Sequence, residues 1–75
     1  MELKNVKAYL NKTVYYDIGQ VNFSGCSIKD FVLTACILRK KKNAPFYYQA
    51  ELMSTENNKS VLIVPLEKVL TKNEL

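Results

Sequence analysis

The chain contains no histidine and no tryptophan, only two glycines, two prolines and two cysteines, and a single arginine, Arg39, among its 75 residues. Each scarcity excludes a class of function. Without histidine the commonest general base at neutral pH is missing, so one chain cannot supply a Ser-His-Asp or Cys-His constellation. A tetrahedral zinc site needs four thiolate or imidazole ligands, and Cys26 and Cys36 are the only such residues. No metal or other cofactor is therefore expected. Gly19 and Gly25 stand alone, so neither the dinucleotide fingerprint nor a phosphate-binding P-loop can be written with them. The carboxylates Asp17, Asp30, Glu51, Glu56 and Glu67 lack the clustering of a calcium loop and read as surface charges. No apolar run approaches the ~20 residues that span a bilayer. These absences together predict a protein that is not an enzyme and does not enter the membrane.

Met1 to Leu10 carries Glu2, Lys4 and Lys7 and no long apolar run, so no secretory leader is expected there. A cytoplasmic setting with free thiols follows as the expectation. Cys36 lies in an apolar run and reads as a small core residue, whereas Cys26, in a polar Gly-flanked loop, reads as an inert thiol. The richness in Lys and Asn over Arg is the bias of an AT-rich genome, such as that of a low-GC bacterium or its phage.

What is present is a large apolar fraction, 48% of the chain, with 24% charged residues. That composition predicts one globular domain spanning 1–75. A domain this small buries only about 60–65% of its unfolded surface, so self-association into a homodimer or higher oligomer is expected to support it.

Leu3, Val6 and Tyr9–Leu10 recur at helical spacing and predict a short helix, leaving at Asn11 and Lys12. Thr13 to Ile18 alternates and is rich in β-branched and aromatic residues, which predicts a strand. Gln20 to Phe23 reads as a second short strand, and Ser24–Ser27 as a turn. Ile28 to Lys40 is the strongest strand. Strict alternation would place Phe31, Leu33, Ala35 and Ile37 on one face and Val32, Thr34, Cys36 and Leu38 on the other. Phe46 to Thr55 alternates, with Phe46, Tyr48, Ala50 and Leu52 facing inward, and should pair with the preceding strand as an antiparallel hairpin. Asn57-Asn58 suits a tight turn, Ser60 to Leu66 is a further strand, and Pro65 puts it at a sheet edge or ends it. Leu66, Val69 and Leu70 read as a closing helical turn, with Thr71 to Leu75 a frayed tail.

The predicted fold is mainly β, or α+β by strict count: a helix and its exit over 1–12, then an antiparallel meander of four or five strands over 13–70. A meander of this length is expected to curl into a small SH3-like or Sm-like barrel, with an open sheet under the helix as the alternative. The leading helix followed by Leu10-Asn11-Lys12-Thr13-Val14 resembles the entry to an Sm-like fold. The loop signatures with which Sm-like proteins grip RNA are missing, so no functional residue is carried over.

One feature stands out. Arg39, Lys40, Lys41 and Lys42 place four cations at the tip of the main hairpin, in a chain of net charge +4 and pI near 9.1. Tyr47 follows the turn, and Tyr15 is a second candidate for an exposed ring. Cations with exposed aromatics are the groups that contact phosphates and stack on bases, so nucleic-acid binding is expected at these residues. With one arginine, contacts should be to the backbone more than to base edges. The alternative is a protein–protein interaction module, an inhibitor or adaptor of phage or mobile-element origin, that engages an acidic surface or a sheet edge of a partner. The lysines would also serve simply to solubilise a hairpin tip.

Overall fold

The alternating segments resolve into a single antiparallel sheet in the computed structural model, which describes residues 1–19, 27–56 and 60–75. A 3-10 turn at Leu3–Asn5 leads into one α-helical turn, α1, at Val6–Tyr9. Four strands follow: β1 (Thr13–Asp17), β2 (Ile28–Lys40), β3 (Phe46–Ser54) and β4 (Val61–Pro65). They lie in chain order, each antiparallel to the next. The short strand expected at Gln20–Phe23, the Cys26 loop and the Asn57-Asn58 turn lie outside the described residues. No helix among the described residues is long and apolar enough to cross a membrane.

The helix leaves through Asn11, whose φ of 65° is the left-handed conformation that Asn tolerates at a helix exit. That bend lets the Asn11 amide donate to the Leu33 carbonyl at 2.7 Å and the Leu33 amide to the Lys12 carbonyl at 3.1 Å. The exit thus prolongs the β1 side of β2 by one residue pair. At the other end of β1 the Asp17 carboxylate accepts from the Gly19 amide at 2.8 Å, around a glycine whose φ is 72°. This turn holds the Asp17 carboxyl below its ordinary range, the Gly19 amide being the larger cause and the Ser27 hydroxyl the second.

The core lies on one face of the sheet. It comprises Val14, Phe31, Leu33, Ala50, Leu52 and Val64, covered by Met1 and Val6 from the N-terminal segment and by Leu66 and Val69 from beyond β4. Strict alternation along β2 fails at one point. Leu33 faces Leu52 but Ala35 faces Glu51, so Thr34 is an extra residue, a β-bulge. One inserted residue inverts every later side chain. Cys36 and Leu38, expected opposite Phe31 and Leu33, therefore share their face, and Ala35 and Ile37 lie on the outer one. Cys36 packs against the core as expected, and its burial pushes the thiol pKa up.

The sheet is open and not closed into a barrel. One isolated bridge reaches toward closure: Tyr15 and Leu70 exchange both backbone hydrogen bonds at 2.8 Å. Between β4 and that bridge the chain makes a 3-10 turn at Leu66–Lys68, where the closing turn was expected. The Met1 amino group donates to the carbonyls of Leu66 and Val69, at 3.1 and 2.6 Å, which ties the two ends of the described chain together. Where the sequence reading has a frayed tail, Thr71 caps a further 3-10 turn at Lys72–Glu74 through a capping box with Glu74.

Candidate functional site: a basic β-arm

The strands differ greatly in length, and this mismatch creates the site. β1 pairs with β2 only from Ile28 to Val32, and β4 pairs with β3 only from Gln49 to Met53. β2 and β3 continue together to the pair Lys40–Phe46. Past the Asn11–Leu33 contact on one side and Gln49 on the other, they form a two-stranded ribbon with no further strand beside it among the described residues.

The arm ends in a tight turn. The Ala44 amide donates to the Lys41 carbonyl at 3.1 Å, with Lys42 and Asn43 at the corners. Asn43 has a φ of 64°, as the third position of a type II turn requires. Arg39, Lys40, Lys41 and Lys42 are all exposed. The pleat sends Arg39, opposite Tyr47, to one face and Lys40, opposite Phe46, to the other. The Lys41 ammonium sits over the Tyr47 ring, 5.8 Å from its centroid, and the Lys40 ammonium lies 6.0 Å from that of Phe46. The Arg39 guanidinium donates through Nε to the Gln49 side-chain carbonyl, which aims it across the ribbon. Both faces of the tip thus carry a cation resting on an aromatic ring.

Tyr47 lies beside the basic tip as the sequence suggested, but it is half-buried where an exposed ring was expected. Tyr15 is not brought there. It pairs with Asp30, nine residues before Arg39 on β2, roughly 30 Å away at the rise of an extended strand. Phe46 was expected to face inward. It has the inward parity, but the core ends before the arm does, and the ring is 61% exposed. Leu38, on the same face, is 55% exposed for the same reason. At the base of the arm an open groove of about 440 Å³ is lined by Tyr47, Tyr48, Met1, Leu3, Pro65 and Leu66. Phe46, Leu38 and Tyr48 are the site residues that sequence reasoning missed. The unequal strand lengths would have marked them, since no neighbouring segment is long enough to cover both ends of β2 and β3.

Of the acidic residues, Glu51 accepts from the Thr34 hydroxyl, Asp30 accepts from Thr55, and Glu56 pairs with Lys29 at 2.8 Å. No three His, Cys, Asp or Glu side chains converge as a metal site among the described residues. Compared with known proteins, the chain matches no family model, no curated protein and no solved structure.

Proposed function

We propose that the chain is a small non-enzymatic binding protein of the cytoplasm whose β2–β3 arm engages the backbone of nucleic acid. The observation that carries this reading is the arm itself: a ribbon standing clear of the sheet, with four exposed cations at its tip and two of them resting on aromatic rings. A projecting ribbon fits the width of a major groove or tracks a single strand, and the rings of Phe46 and Tyr47 offer stacking surfaces. In architecture we read the sheet as a partly opened form of the SH3-like or Sm-like barrel, a reading supported by the Tyr15–Leu70 bridge and the 3-10 turn before it.

The test is fluorescence anisotropy with labelled single- and double-stranded oligonucleotides. Binding should be strongest at low salt and fall with a log–log slope of about −3 to −4 if all four cations meet phosphates. No anisotropy change with either form at about 50 mM salt would remove the proposal.

A second reading is favoured by Leu38 and Phe46. Large exposed apolar side chains rimmed by cations also suit an acidic protein surface with an apolar centre. Here the chain would be an adaptor or inhibitor, and a partner captured through it would persist after nuclease treatment.

A further inference from the structure

The second edge of the sheet has a separate use. β4 is its last strand, and no other strand covers its outer side among the described residues. The Ser54 amide donates to the Ser60 carbonyl at 2.8 Å, which marks Ser54–Ser60 as a hydrogen-bonded pair. Antiparallel pairs alternate, so Leu62 and Val64 turn their backbone groups toward β3, and Val61, Ile63 and Pro65 turn theirs away. Pro65 thus falls where its missing N–H costs the sheet nothing. The outer edge offers two donors, Val61 and Ile63, and three acceptors, Val61, Ile63 and Pro65.

Exposed edges usually carry a lysine or an inward charge that deters pairing. Val61–Pro65 contains no charged residue. Its outer-face side chains are uncovered, Val61 being 56% and Ile63 42% exposed. They extend an apolar row that runs across the sheet through Val32, Met53 and Val61.

We infer that β4 pairs with β4 of a second copy of this chain, antiparallel about a two-fold axis at Ile63. In this register each Ile63 amide donates to the other Ile63 carbonyl, and each Val61 amide donates to the other Pro65 carbonyl. Every outward donor is satisfied, and only the Val61 carbonyls are left to water. An axis at Pro65 would lose both central bonds, so the proline excludes that register. The pattern is its own complement, which is what a two-fold interface requires.

Charge decides whether two copies of net charge +4 can approach. Ile63 pairs with Glu51, and Asn43 in the turn at the arm tip lies eight residues before Glu51, ahead of the start of β3, roughly 27 Å from the axis. The two-fold sends the arms in opposite directions, so the tips stand roughly 50 Å apart, several times the ~8 Å screening length at physiological salt. The repulsion is therefore screened, and the strands that meet are neutral. The result is one continuous eight-stranded sheet with a basic arm at each end. The inference does not depend on what the arms bind.

Sedimentation equilibrium and residue-resolved amide exchange on the full chain test it. The expected result is a concentration-dependent dimer in which exchange at Val61 and Ile63 slows about tenfold or more between dilute and concentrated protein. Ile63→Lys sets two ammonium groups together at the axis and should weaken the dimer at least about tenfold, with circular dichroism reporting whether the variant folds. If it does not fold, exchange in the unaltered chain decides. A monomeric mass at about 1 mM, where even a Kd of 1 mM leaves half the chains paired, overturns the inference. A dimer in which Val61 and Ile63 exchange freely overturns it equally.

Discussion

The Thr34 hydroxyl lies 2.9 Å from the Glu51 carboxylate and 3.0 Å from the Glu51 backbone carbonyl, across the one break in the β2–β3 ladder. The contact holds the extra residue that turns the arm over. It decides that Leu38 and Phe46 share one face of the arm and Arg39 and Tyr47 the other. Thr34→Val keeps the shape but removes the donor, and should cost about 0.5–1.5 kcal/mol in urea melts. Deleting Thr34 removes the unpaired residue and should leave Leu33 opposite Leu52 and Arg39 opposite Tyr47, so the same cross-strand contacts persist by NMR through a regular ladder.

The core is small, so single truncations should weigh heavily. Leu33 and Leu52 face each other and are fully buried. Leu52→Ala should cost about 2–5 kcal/mol, against a total of roughly 4–11 kcal/mol for a chain of this length. The variant should be largely unfolded by about 50 °C by circular dichroism.

The turn that presents the lysines depends on Asn43 at positive φ. Asn43→Gly should be neutral within about 0.5 kcal/mol, and Asn43→Ala should destabilise by about 1 kcal/mol, because a Cβ without a compensating polar group disfavours that region. Thermal melts of the two variants check the order.

At the C-terminal turn the Thr71 backbone amide, and then its hydroxyl, hold the Glu74 carboxyl below its ordinary value of 4.5. A folded-state pKa below the unfolded one means that the ionised carboxylate stabilises the fold above the ordinary value and loses that effect as pH falls through the folded value. Stability should therefore drop on acidification below about pH 4.5, with Asp17 contributing in the same direction. Glu74→Gln should flatten part of that slope, as measured by urea melts from about pH 6 down to about pH 3.

For the arm, changing Lys40, Lys41 and Lys42 together to Ala should leave the fold intact and reduce the salt slope of nucleic-acid binding by about 2–3. Tyr15→Ala, far from the tip, should leave that slope unchanged. A triple variant that binds with the slope of the unaltered chain would place the contact elsewhere.

The sequence alone determined the local elements, because each rests on short-range chemistry. Alternation in Thr13–Asp17 and Phe46–Ser54 marked β1 and β3, and Asn11 marked the helix exit. The missing donor of Pro65 marked the edge strand, and four consecutive cations marked the tip. The tertiary structure decided what depends on pairing at a distance. The Thr34 bulge leaves no local mark, since one extra residue in an apolar run changes neither composition nor periodicity over a few positions; only the register against Glu51 and Leu52 reveals it. The separation of Tyr15 from the tip follows from its pairing with Asp30, and the exposure of Leu38 and Phe46 from where the core ends. Residues at the same parity are core where Met1, Val6, Leu66 and Val69 cover them and arm where that cover stops. Coverage belongs to the whole fold, and no single segment records it.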